Sequence, residues 1–178
     1  MRVTCAHLVG IILLVNTLLA LLVSITTPFW VADETSESHY GLIAACSDEC
    51  DWYFEEDFGT YKRLPDWFKA AQGLMVSGLA TELIALIVAI LSACTKCYSC
   101  SPHRLTAGFL LVSFVSTLVG IVVFCVKSND EMNVELSKGS GLKFGWSMWL
   151  CVGSTALAFI TSGIFACTSM KRPDDDYY

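Results

Sequence analysis

The sequence predicts an all-α membrane protein: a four-helix transmembrane bundle with a small antiparallel β-sheet on one side of the bilayer. Three observations predict it. Hydrophobic residues make up 54% of the 178-residue chain and charged residues only 16%, well to the apolar side of soluble domains. Four apolar runs are each long enough to span a bilayer as a helix. The stretch between the first two is polar and aromatic with partial alternation, the pattern of short strands. The length allows a single domain, 1–178. Four spans leave little chain for a catalytic unit, and the net charge of −6 argues against nucleic-acid partners, which need a basic surface.

The runs cover approximately 5–27, 70–94, 105–126 and 146–167. The first, with Arg2 ahead of it, also reads as a signal peptide, but it is longer than the usual apolar region and no small-x-small cleavage site precedes Pro28; an uncleaved span is expected. Only helices and closed barrels satisfy their backbone in lipid. These runs are twice the length of a barrel strand and lack its alternation, so they are read as helices.

Four spans put both termini on one side. Arg2, Lys96, Arg104, Lys171 and Arg172 are packed into short segments, whereas Lys62, Arg63, Lys69, Lys127, Lys138 and Lys143 are spread over longer ones. The denser side is expected to be cytoplasmic, which places 1–4, 95–104 and 168–178 in the cytoplasm and the loops 28–69 and 127–145 outside a plasma membrane. Cys46 and Cys50 then lie alone in an oxidising compartment, where disulfides persist; they make a natural pair at the tip of a tight hairpin, two free thiols being the alternative. No Asn-x-Ser/Thr sequon is present, so N-glycosylation is not expected.

Few groups have chemistry to offer. Cys94, Cys97, Cys100 and His103 form a C-x2-C-x2-C-x2-H run of metal-ligand types. Structural zinc sites usually draw ligand pairs from separated segments, so no metal is expected. The favoured reading is reversible palmitoylation of juxtamembrane Cys94, Cys97 and Cys100, with inert packing as the alternative. Glu82 lies mid-span, where a carboxyl is a functional-site hypothesis by default. A hydrogen-bonded carboxyl facing the bundle is favoured over a transport relay, because the other spans carry no partner charges; Asn16 is the candidate partner. Small residues recur every four positions: Gly73, Ser77 and Thr81; Ser116 and Gly120; Ser154, Ala158, Ser162 and Ala166. Such stripes allow close helix approach in lipid. His7, His39 and His103 are far apart in sequence and fall on different sides of the membrane. No nucleophile elbow, phosphate loop or H-E-x-x-H helix is present; neither enzymatic activity nor a cofactor is expected.

The long loop carries ten carboxylates against three basic residues, together with Trp30, Tyr40, Trp52, Tyr53, Phe54, Phe58 and Tyr61. Trp30, Gly41, Leu42, Cys46 and Cys50 match the W…G-L-W-x-x-C…C signature of the claudin, peripheral myelin protein, epithelial membrane protein and lens fibre membrane intrinsic protein superfamily. Leu64-Pro65 leading into Ala70-Ala71-Gln72, and Phe144-Gly145-Trp146-Ser147, are supporting matches. The chain resembles that superfamily over its full length, with two departures. Ile43 stands where the second tryptophan is expected, and Cys46 and Cys50 are closer together than in true claudins, nearer to the lens and myelin branch.

The resemblance implies a left-handed bundle capped by an extracellular sheet, stapled by Cys46–Cys50, with Trp30 anchoring the sheet at the lipid interface. It also implies a structural protein of cell–cell junctions that associates with itself, or with related tetraspan proteins, in cis and in trans to form a paracellular barrier. In a pore, Glu55, Glu56 and Asp57 would favour cations. The alternatives are an accessory subunit of a membrane channel or a membrane organiser, and more distantly a transporter centred on Glu82. The tail, Asp176-Tyr177-Tyr178, offers a terminal carboxylate to a PDZ groove, although Tyr178 replaces the usual aliphatic residue; a solvated acidic tail is the other reading.

Overall fold

In the computed structural model of the chain, residues 5–33, 38–47, 49–54, 64–94, 102–132 and 142–170 are described. They form four long helices, α1 (Cys5–Thr26), α2 (Asp66–Cys94), α3 (Pro102–Met132) and α4 (Trp146–Met170), and five short strands. All four helices are long and apolar enough to cross a membrane. The chain runs up and down a closed ring, in which α1 packs on α2 and α4, and α3 packs on α2 and α4.

Local sequence sets the helix ends. α1 stops just before Pro28, which cannot continue a helix, and the Thr26 and Thr27 hydroxyls donate back to the Leu22 and Val23 carbonyls, 2.9 and 2.7 Å. α2 starts at Asp66, whose charge suits the positive end of the helix dipole. Pro102 opens α3, at a position where its missing N–H costs nothing. Two helices outrun their apolar stretches: α2 begins at Asp66, before the expected 70, and α3 continues to Met132, past the expected 126.

The strands are β1 (Val31–Asp33), β2 (His39–Tyr40), β3 (Ala44–Cys46), β4 (Cys50–Trp52) and β5 (Leu142–Phe144). They form one antiparallel sheet in the order β4-β3-β2-β1-β5. The first four come from the loop after α1, as the aromatic alternation predicts. The fifth comes from the loop after α3, pairing Val31 with Phe144 and Asp33 with Leu142, so the sheet joins both loops.

Two apolar clusters fill the bundle. One lies under the sheet and includes Leu21, Trp30, Leu42, Phe68, Met75, Phe124 and Met148. The other lies at the far end, around Leu14, Ala85, Ala89, Leu110 and Phe165. Between them is a belt of buried hydroxyls: Thr17, Ser113, Thr117, Ser154 and Thr155, with Glu82. The Ser113 hydroxyl donates to the Gly78 carbonyl on α2, 2.9 Å, and Thr155 meets Thr117 across α3 and α4, 3.2 Å. In lipid such bonds are worth about 0.6 kcal/mol each, so the belt contributes as a set.

The small-residue stripes are used unevenly. Ser77 and Ser116 share a hydroxyl contact of 2.8 Å. Gly120 admits Met75 and Leu74, and Ser162 donates to the Ala107 carbonyl at 2.9 Å. Gly73, by contrast, faces open space, and the close approach falls instead at Gly78, where an added Cβ would lie 2.5 Å from the Thr117 methyl.

Candidate functional site

The residues of the predicted signature converge at the junction between sheet and bundle. Trp30 is fully buried. Its indole Nε1 donates to the Ser24 carbonyl at 2.7 Å, one of the carbonyls that the end of α1 leaves unpaired. Its ring meets Phe124 of α3 edge-on, with centroids 4.9 Å apart. The expectation that Trp30 sits at the lipid interface is therefore corrected: it is an internal peg between sheet and helices. Among the described residues, the outward-facing aromatics of this end include Tyr40, Trp52, Phe54, Trp146 and Trp149.

Gly41 follows β2 where the chain passes over the end of α1. An added Cβ would lie 2.5 Å from Pro28 Cα and 2.8 Å from the Thr27 carbonyl oxygen, so only glycine fits. Leu42 is buried under the sheet, and its carbonyl accepts from the Gln72 amide of α2. Ile43, at the position of the missing second tryptophan, packs against the same core beside an apolar notch lined by Ile25, Phe54, Met75 and Val76.

Cys46 and Cys50 are directly paired across β3 and β4 and form a disulfide with Cα atoms 4.1 Å apart. A loop this short removes little chain entropy, about 2 kcal/mol by the loop-closure relation. Replacing both cysteines with serine is therefore expected to lower stability by that amount and loosen the β3–β4 hairpin, with helical circular dichroism unchanged. Loss of the helical signal would mean that the bond supports the whole fold.

Tyr53 follows β4 and is buried against Phe68, centroids 5.7 Å apart. Burial pushes its phenol up to about 12, with nearby Tyr40 adding to the rise. The neutral phenol's contribution to stability is thus complete below pH 10 and is lost as the pH rises from about 10 to about 12. At pH 11 one of the six tyrosines is expected to lack phenolate absorbance; joint ionisation of all six would contradict this burial.

Glu82 is 1% exposed and its Oε1 has no hydrogen-bond partner among the described residues. The side chain beside the carboxyl is Thr17, which faces it from α1. Asn16, the expected partner, turns outward and donates to the Ile12 carbonyl of its own helix, 2.7 Å. The neighbouring residue wins because one helical step rotates a side chain by a large part of the circle. No group of three or more His, Cys, Asp or Glu suited to a metal occurs among the described residues. Glu55, Glu56, Asp57, Cys97, Cys100 and the tail with Tyr178 lie outside the described residues, as does the Cys94 side chain.

A family model described as PMP-22/EMP/MP20/Claudin family matches residues 4–166. The chain belongs to that family. A search of individual curated proteins found no match. Membership in the PMP-22/EMP/MP20/Claudin family makes this a non-enzymatic, four-span structural membrane protein in contact with the lipid bilayer. In this member the signature is a construction element: Trp30 and Gly41 seat the sheet, Leu42 ties it to α2, and Cys46–Cys50 closes its hairpin.

Sequence reasoning missed the other half of the seat. Ser147 at the start of α4 accepts on its carbonyl from Ser24, 2.7 Å, and its hydroxyl meets that of Thr27, also 2.7 Å. Gly145 donates to the Trp30 carbonyl at 2.9 Å. The supporting match Phe144-Gly145-Trp146-Ser147 was the available signal, since an added Cβ on Gly145 would overlap the Phe29 carbonyl.

Proposed function

We propose that this chain is a claudin-like structural protein of cell–cell contacts, associating with copies of itself or with related tetraspan proteins to contribute a paracellular barrier. The observation that carries this reading is a sheet seated by buried contacts on α1, α2, α3 and α4, with Trp52 and Phe54 facing outward at its β4 edge. A platform held this firmly has little freedom to lose on docking, which favours association, and aromatic residues are the preferred anchors of interfaces. Both termini are cytoplasmic in this reading and the sheet faces the intercellular gap; the Cys46–Cys50 disulfide on the sheet side supports that orientation, because such bonds persist in oxidising compartments. Glu55, Glu56 and Asp57 would bias any pore towards cations. Palmitoylation at Cys94, Cys97 and Cys100 and a PDZ contact at Tyr178 would be secondary attachments on the cytoplasmic side.

One observation favours a second reading, an accessory subunit of another membrane protein. An open groove along α2 and α3, lined by Leu74, Leu111, Val112, Val115, Ser116 and Val119, has the mixture of apolar and hydroxyl side chains that receives a neighbouring transmembrane helix. Expression of the tagged chain in cells without junction strands separates the two. Enrichment at contacts between two expressing cells, and not at contacts with a non-expressing neighbour, is the result expected of the junction reading. Uniform surface staining together with stoichiometric co-purification of a channel would replace it with the accessory reading.

A further inference from the structure

The outward face of α1 carries a polar side chain that lipid cannot satisfy. Asn16 lies midway along the helix and is exposed, on the side that neither α2 nor α4 covers. One N–H of its amide donates to the Ile12 carbonyl a turn back, 2.7 Å. Hydroxyls in the spans can place their single proton in the same way, as Thr26 does on the Leu22 carbonyl. A carboxamide has a second N–H and an acceptor oxygen left over, and neither meets a partner among the described residues. The hydrocarbon core supplies no donor or acceptor, so polar groups at this depth ordinarily face protein.

The residues around Asn16 form a seam. Val9, Ile12, Asn16, Leu19, Val23 and Thr26 are all exposed and follow one another at steps of 3, 4, 3, 4 and 3, the repeat with which two helices wind left-handedly about each other. Val9, Asn16 and Val23 occupy one row of the seam, and Ile12, Leu19 and Thr26 the other. β-branched residues in the first row with leucine in the second favour a parallel pair, and a single Asn among them fixes register and the number of strands. Leu8 and Leu22, also exposed, flank the seam and widen its apolar surface.

We propose that this face of α1 is a lateral dimer interface, and that its occupant is the same face of a second copy in the same membrane. Copies inserted alike hold their α1 helices parallel, so a twofold axis along the membrane normal sets like residues opposite each other and the two Asn16 side chains meet. An amide is its own complement: the remaining N–H of each copy donates to Oδ1 of the other. A partner of different sequence would have to supply both a donor and an acceptor at this one depth; a second copy supplies them by symmetry. Lipid tails are as apolar as Leu19 or Val23, so the apolar seam contributes close packing and the amides contribute the preference for protein over lipid. The interface rests on the proposed function only in taking a second copy as partner, and it acts within one membrane rather than across the gap between cells.

The test reconstitutes donor-labelled and acceptor-labelled full chains together in phosphatidylcholine vesicles and follows energy transfer as lipid dilutes the protein. The wild type is expected to saturate at the level of a dimer. Asn16→Leu is expected to weaken dimerisation at least about fivefold, the scale of one or two interhelical hydrogen bonds in lipid, with helical circular dichroism unchanged. Asn16→Gln keeps the amide and should retain most of the dimer. Leu19→Trp puts bulk into the seam and should also weaken it, whereas Ile87→Trp, at a similarly exposed position on α2, should not. A monomeric wild type, a folded Asn16→Leu that dimerises unchanged, or equal effects of the two tryptophan variants overturns the proposal; should Asn16→Leu fail to fold, the tryptophan pair decides. Enrichment at contacts between expressing cells is scored separately. Enrichment without a vesicle dimer removes the α1 interface and leaves the junction reading standing, and a dimer lost in Asn16→Leu without enrichment in cells keeps the interface and removes the junction reading.

Discussion

Trp30→Ala is expected to detach the sheet from the bundle. Emptying a fully buried tryptophan site costs about 3–5 kcal/mol, and here the loss also removes the indole's hydrogen bond to the Ser24 carbonyl and opens the contact with Phe124. Marginally stable folds have about 5–15 kcal/mol in total, so a large fraction disappears in one substitution. Denaturation of the purified chain in micelles should show the unfolding free energy fall by about 3–5 kcal/mol. Trp30→Phe keeps most of the apolar volume but not the donor, and should fall between wild type and alanine. Trp149→Ala is the control: that side chain is 56% exposed and its removal should barely alter stability. If Trp30→Ala behaved like Trp149→Ala, the sheet would not be held by its tryptophan.

Gly145→Ala comes second. The new Cβ would overlap the Phe29 carbonyl, and neither side can retreat cheaply. Phe29 accepts from Ser147 at 3.2 Å, and Gly145 donates to Trp30 at 2.9 Å. Overpacking against a side chain typically costs about 1–3 kcal/mol; against fixed backbone the upper end or beyond is expected, together with loss of the β1–β5 pairing. The same single-methyl change at Gly73 or Gly153, where the Cβ meets open space, should be neutral or slightly stabilising, because alanine restricts the unfolded chain. Amide exchange at position 145, whose N–H donates to the Trp30 carbonyl, would report which outcome holds. Equal protection in the Gly145 and Gly153 variants would contradict the role assigned to Gly145.

The four spans, the strands of the first long loop and the Cys46–Cys50 pair were legible because each rests on local pattern: run length, alternation and spacing. What stayed hidden depends on packing between distant segments. β5 is only Leu142–Phe144, too short to carry a period. Trp30 reads as an interfacial residue from its type, since an amphipathic ring suits either a lipid interface or a core with one acceptor. Thr17 rather than Asn16 meets Glu82 because the choice between adjacent positions turns on helix rotation, which apolar runs of nearly uniform composition do not fix. His7 and His103 meet ring to ring, centroids 4.9 Å apart, from different helices with no motif linking them.

The placement of β5 bears on how the protein is made. β1 leaves the ribosome roughly 110 residues before its partner, a delay of about 5–20 seconds at ordinary rates of synthesis. During that time two more segments must thread into the bilayer while one edge of β1 has no partner. The sheet therefore behaves as a completion checkpoint: its last hydrogen bonds form only when α4 is arriving, so a chain that inserts its final helix wrongly is left with an unfinished sheet edge.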